Sequence, residues 1–132
     1  MRNRLAILTV AAVLPLVGTS SLAVAAQAGA ADTLGQVTLS GTVDDCDNGS
    51  SPTVVKIKAV TSAGAIETKT DNSLAGSSNS YSVVFKKIPK TGATGKATVT
   101  CEDDTTYKPA QFTINGAPTT AAVKQKQNLE PQ

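Results

Sequence analysis

Histidine and tryptophan are absent from the chain, and tyrosine and phenylalanine occur twice each. Without histidine the protein lacks the usual general base, the usual proton shuttle and the commonest metal ligand. With so few aromatics it has little on which sugars or bases could stack. Cysteine is scarce too: there are two, so a disulfide framework reduces to one intramolecular bridge. What is present suits a folded chain, because 40% hydrophobic against 17% charged residues permits a core. A length of 132 residues is enough for one domain.

The first thirty residues differ from the rest. Arg2 and Arg4 precede an apolar run from Leu5 to Val17, softened by Thr9 and Pro15. Small residues follow, with Ala23-Val24-Ala25, Val24-Ala25-Ala26 and Ala28-Gly29-Ala30 as cleavage signatures. This layout is that of a secretory signal peptide. The competing reading is a membrane anchor, but a span needs about 20 apolar residues and this core is shorter. The expected organisation is a signal peptide at residues 1–26, a flexible segment at residues 27–34 and a folded domain at residues 35–132, with cleavage somewhere within residues 25–31. Arg2-Asn3-Arg4 is not a twin-arginine pair, and no cysteine precedes Cys46 to accept a lipid. The product is therefore expected outside the cell, secreted and free of the membrane once cleaved. Both arginines lie in the leader, so the remaining lysines meet 10 acidic residues with no cationic excess. A neutral, arginine-free domain is a poor nucleic-acid binder, and no nucleic-acid partner is expected.

Export makes a disulfide favourable, and Cys46 and Cys101 are the two residues that could form it. The alternative, a reactive thiol pair, needs closer spacing and a neighbour that lowers a thiol pKa. A structural bridge would close a loop of roughly 55 residues and stabilise the domain by about 4 kcal/mol.

Short alternating runs dominate the rest and indicate strands. Val37, Leu39, Gly41 and Val43 share one face of the first, and Val55, Ile57 and Ala59 one face of the second, with Lys56 and Lys58 opposite. Ile66, Thr68 and Thr70 make a weaker third. Tyr81, Val83 and Phe85 make a fourth, with Ser82, Val84 and Lys86 outward. Ala97, Val99 and Cys101 make a fifth, and Ala110, Phe112 and Ile114 a sixth. A last strand begins at Ala121 and Val123 and ends near Leu129. Asp47-Asn48-Gly49 and Asn115-Gly116 suit turns that need positive φ, and Asn72 to Ser80 is a polar loop. Lys124 and Lys126 suit an edge strand that discourages pairing with other chains. Seven short strands and no amphipathic helix imply an all-β, antiparallel β-sandwich, Ig-like in class.

Several segments carry a family rhythm. Gly41-Thr42-Val43-Asp44 resembles the opening G-x-V-x-D of carboxypeptidase-regulatory-like domains, which have a transthyretin-like (prealbumin-like) fold. Pro52 with Val55, Ile57 and Ala59 resembles that family's second strand, and Thr70-Asp71 its T-D turn. Phe85-Lys86-Lys87-Ile88-Pro89 resembles F-x-x-L-P, with Val83 where tyrosine is usual. Gly95 to Cys101 resembles the following G-x-Y-x-V strand, with Ala97 in place of tyrosine. Tyr107 lies near the family's G-Y position, and Phe112 to Gly116 and Val123 to Leu129 resemble the closing strands. The resemblance spans Val37 to Leu129. It implies a seven-stranded sandwich with an accessory role beside another domain, and no catalytic residues. Relatives that hydrolyse purine breakdown products depend on histidine and arginine, so that activity is not carried over. Cna-B-like modules use a lysine, a buried acid and a late asparagine for an isopeptide bond. Asn128 could be the last of these, but the first strand has no lysine.

Chemistry-bearing clusters are few. Asp44, Asp45 and Asp47 surround Cys46, and Glu102, Asp103 and Asp104 follow Cys101. A bridge would bring these six carboxylates to one end of the domain. A solvated acidic rim is the plain reading. A Ca²⁺ site is the alternative, since that ion takes several carboxylate and carbonyl oxygens, and no other cofactor is expected. Lys86, Lys87, Lys90 and Lys96 could meet an anionic wall polymer or an acidic partner, although such lysines commonly keep a strand soluble. Lys90-Thr91-Gly92 matches a triplet of penicillin-binding enzymes, but the accompanying Ser-x-x-Lys is missing. Asn48-Gly49-Ser50 has the form of a glycosylation sequon and reads as a turn. The expected function is a secreted, non-enzymatic binding or accessory module of a bacterium, contacting an extracellular protein or a cell-wall polymer. A self-associating structural protein of the envelope is the alternative, with a small secreted hydrolase behind it.

Overall fold

A computed structural model describes residues 34–74, 79–117 and 121–132. The leader, its cleavage window and the segment at residues 27–34, Leu34 excepted, lie outside the described residues. So does the middle of the loop between Asp71 and Tyr81.

The described residues form eight strands and no helix. These are β1 (Gly35–Thr42), β2 (Pro52–Thr61), β3 (Ile66–Asp71), β4 (Ser80–Ile88), β5 (Ala93–Cys101), β6 (Thr106–Tyr107), β7 (Phe112–Ile114) and β8 (Val123–Lys126). One sheet has the order β4-β1-β8; the other runs β3-β2-β5-β6, with β7 also pairing to β5. Each sheet turns one side of its alternating strands inward, as the two-residue period dictates. Val37, Leu39, Tyr81, Val83 and Phe85 from the first sheet meet Val55, Ile57, Ala59, Ala97 and Val99 from the second in one buried cluster. Each Val, Leu, Ile or Phe so buried contributes about 1.5–3 kcal/mol.

Four details depart from the sequence reading. An eighth strand, β6, stands before β7, and Ala110 is exposed outside both because Pro109 beside it cannot donate to a ladder. The pairing is not wholly antiparallel, since β8 lies parallel to β1, Val37 opposite Val123. Gly116 does not take a positive φ as Gly49 does at 81°. It is small because the chain crosses closely there: a Cβ would run into the Lys90 carbonyl. In β3 the expected inner row is the outer one, with Ile66 58% exposed.

The reversal in β3 has a physical cause. Sheet edges leave backbone groups unpaired, and β3 and β4 are edges of different sheets. Glu67 and Asp71 turn from β3 towards β4. The Ser82 N–H donates to Asp71 Oδ2 at 2.8 Å, and the Lys86 and Lys87 N–H groups donate to Glu67 Oε2, each at 3.0 Å. Lys69 holds Glu67 by an ion pair of 3.1 Å. The other seam is stitched by Gln125 of β8. Its Oε1 accepts the Asn115 N–H at 2.8 Å, and its Nε2 donates to the Thr113 carbonyl at 2.7 Å.

Candidate functional site

The connection after β1 and the connection after β5 meet at one end of the domain. Cys46 and Cys101 are joined by a disulfide with their Cα atoms 6.5 Å apart. Backbone bonds shape each turn: the Gly49 N–H donates to the Cys46 carbonyl at 2.7 Å, and the Asp104 N–H to the Cys101 carbonyl at 3.0 Å. Asp104 takes φ 63°, a left-handed conformation that Asp tolerates better than most residues. The Glu102 N–H donates to the Ser51 carbonyl at 3.0 Å, tying the turns by backbone as well as by sulfur.

Side chains add a third tie. Asn48 Oδ1 accepts the Ser50 N–H at 3.0 Å, and Asp103 Oδ1 accepts the Thr105 N–H at 3.2 Å and its hydroxyl at 2.6 Å. These are local turns in which a short polar side chain bonds the backbone two residues on. The turns then engage each other. Asn48 Nδ2 donates to Asp103 Oδ2, and the Ser50 hydroxyl lies between Asn48 Oδ1 at 2.7 Å and Asp103 Oδ1 at 3.1 Å. The Thr105 hydroxyl, helped by the Thr105 N–H, Asn48 and Ser50, outweighs desolvation and holds the Asp103 carboxyl down at about 2.

Beneath the turns, the Tyr107 hydroxyl donates to the Asp44 carbonyl at 2.8 Å, with the Leu129 carbonyl at 3.4 Å. Burial, then the charges of Asp44, Asp45 and Asp47, push this phenol up to about 12. Cys46, Cys101, Asn48, Thr105 and Tyr107 line part of a cleft of about 160 Å³. Asp47 and Thr106 complete the lining.

The structure thus brings Cys46 to Cys101 and Asn48 to Asp103, but it does not assemble the six carboxylates into a coordination group. Among the described residues, no three acidic or cysteine side chains are grouped as a metal ion requires. Asp103 is occupied by its four donors, and Asp45 accepts from Asn79 at 3.3 Å. The Ca²⁺ alternative at Asp44, Asp45, Asp47, Glu102, Asp103 and Asp104 therefore lacks a ligand cage. The Asn48–Asp103 contact escaped the sequence reading, although Asn48-x-Ser50 and Asp103-x-Thr105 both carry the signature of side-chain-closed turns. The lysines also divide: Lys86 and Lys87 lie on β4, whereas Lys96 lies on β5 opposite Lys58. Lys90-Thr91-Gly92 is a turn closed by the Gly92 N–H on the Pro89 carbonyl at 2.9 Å. Asn128 is exposed and accepts the Thr42 N–H at 3.2 Å.

Comparison with protein-family models, curated proteins and solved structures finds no match for this chain. What the chain itself defines is an all-β domain of two sheets with one disulfide, a bond consistent with an extracellular location. No helix among the described residues is long and apolar enough to cross a membrane.

Proposed function

We propose that this protein is a secreted, non-enzymatic binding or accessory module, a β-sandwich of the transthyretin-like kind that carboxypeptidase-regulatory-like domains have. The contacts come from the tied turns at the Cys46–Cys101 end and from the Asp71–Tyr81 loop, whose Asn79 donates to Asp45. The observation that carries this reading is the triple tie between those turns. Sulfur, backbone and side-chain bonds hold two exposed connections in one arrangement, which lowers the entropy lost on binding a partner. A sandwich whose rigid sheets present function on loops fits the same pattern. The sequence, lacking histidine and a recognisable nucleophile motif, favours binding over catalysis. Self-association through a sheet edge is the weaker alternative, because Glu67, Asp71 and Gln125 occupy backbone groups at both seams.

Capture from the culture fluid and envelope of the producing cell tests the proposal. The processed wild type should retain a component that the Asp47→Ala/Glu102→Ala variant, altered only in exposed turn side chains, does not. Equal capture by both would remove the turns from the reading, and capture by neither would refute the binding role.

A further inference from the structure

The outer side of the five-stranded sheet is different in character from the tied turns. Register places Thr70, Lys56 and Thr98 in one row across β3, β2 and β5, and Thr68, Lys58 and Lys96 in the next. Residues opposite one another in a sheet share a face, and alternate residues along a strand are about 7 Å apart. A flanking row runs through Ile66, Val60, Thr94 and Thr113. No carboxylate stands on this face among the described residues, because the acids of β3 are turned into the seam with β4. None of the three lysines has an ion-pair partner among the described residues.

The pairing of Lys58 with Lys96 is unfavourable by itself. Like charges directly opposite on neighbouring strands destabilise a sheet, and with ten lysines against nine carboxylate side chains in residues 35–132 the domain has too little cationic excess to make such a pairing unavoidable. Three lysines share this face with threonine hydroxyls and no described carboxylate, while acidic side chains collect at the turns and the seam. We infer that this face docks a linear, phosphate-bearing polymer of the cell wall. Ammonium groups act on phosphates as point charges, whereas carboxylate recognition favours the arginine fork that the domain lacks. The threonine hydroxyls match a hydroxylated backbone. The face carries no aromatic ring among its described positions, so it offers nothing for unpaired bases to stack on. The inference rests on the reading of the chain as an exported binding module, and it names one partner class and a second surface.

Titration calorimetry with synthetic poly(glycerol phosphate) and the processed, disulfide-intact protein tests it. Binding should weaken with salt, with a slope of log K against log salt of about −2 to −3 for three lysine contacts. Lys56→Gln/Lys58→Gln/Lys96→Gln should weaken binding at least about tenfold and flatten that slope. Lys86→Gln/Lys87→Gln/Lys90→Gln removes the same charge from elsewhere and should change affinity by less than about twofold. The first variant should melt no lower than wild type, since it relieves a repulsion. No binding at low salt, or equal loss in both variants, would overturn the face. Tighter binding to duplex DNA or to anionic lipid vesicles than to the polymer would overturn the occupant. If this test fails while Asp47→Ala/Glu102→Ala still abolishes capture of a partner, the polymer face falls and the tied turns stand. Polymer binding by the face with no turn-dependent capture would have the opposite meaning.

Discussion

Replacing both cysteines, as Cys46→Ala/Cys101→Ala, removes the covalent closure of a loop with a sequence separation of 55. That loop contains β2, β3, β4 and β5, so the cross-link restrains the segment that carries four of the eight described strands. The chain-entropy model assigns the restraint about 4 kcal/mol. The two buried sulfurs add about 1 kcal/mol of lost burial. The native turns retain the Glu102–Ser51 backbone bond and the Asn48–Asp103 contact, so the folded state should keep its geometry and the effect should arise in the unfolded state. For a domain whose stability is about 5–15 kcal/mol, a loss of 4–5 kcal/mol leaves a marginal fold. The melting midpoint should fall by roughly 16–30 °C. Urea unfolding followed by far-ultraviolet circular dichroism suits a protein without tryptophan. It should give a lower midpoint and a steeper slope, because the uncrosslinked chain exposes more surface. A loss below about 1 kcal/mol, with unchanged slope, would refute the claim that the bridge closes this loop.

Other perturbations follow from single contacts. Tyr107→Phe removes the hydroxyl bond to the Asp44 carbonyl and should cost about 1 kcal/mol in chemical unfolding. In the intact protein Tyr107 ionises near 12 and burial holds Tyr81 higher still, so both phenols favour the fold below pH 10 and that contribution declines as pH rises through their folded values. Absorbance titration should show almost no tyrosinate at pH 10 before unfolding, where a free tyrosine would be about half ionised. Desolvation raises the Asp71 pKa, but bonds from the Ser73 hydroxyl and the Ser82 and Ser73 N–H groups outweigh it and the net shift is downward. Its stabilisation is therefore complete above the ordinary carboxylate range and lost as pH falls through the folded value. Asp71→Asn should cost about 1–2 kcal/mol at pH 7 and less at pH 2, read from paired melts. Gly116→Ala should cost about 3 kcal/mol because backbone must move at Lys90, whereas Gly49→Ala, with open space but a positive φ, should cost about 1 kcal/mol.

Strands with one face in the core and one in water could be read from the sequence. In β1, β2, β4 and β5 the apolar alternation marked the buried residues, with Lys56 and Lys58 outward as expected. The bridge was legible because two cysteines allow one pairing. In β3 the same rule failed because Glu67 and Asp71 are turned towards β4 to meet its free N–H groups, a demand set by a strand distant in sequence. The parallel neighbour of β1 was equally invisible, since strand direction leaves no trace in a local period. At the turns, Asn48-x-Ser50 and Asp103-x-Thr105 each announced a local bend. Their meeting across 55 positions depends on where the sheets deliver β1 and β5. The acidic residues looked like potential ligands because sequence shows proximity to the bridge but not that Ser50 and Thr105 hydroxyls already bond Asp103.

Amide hydrogen exchange on the processed, oxidised protein addresses the tied turns most directly. The Cys46 and Glu102 N–H groups, bonded to Ser50 and Ser51, should exchange at least about 100-fold more slowly than in a free peptide. A free-peptide rate at Glu102 with the bridge intact would mean the two connections move independently, and the surface assigned to binding would not exist.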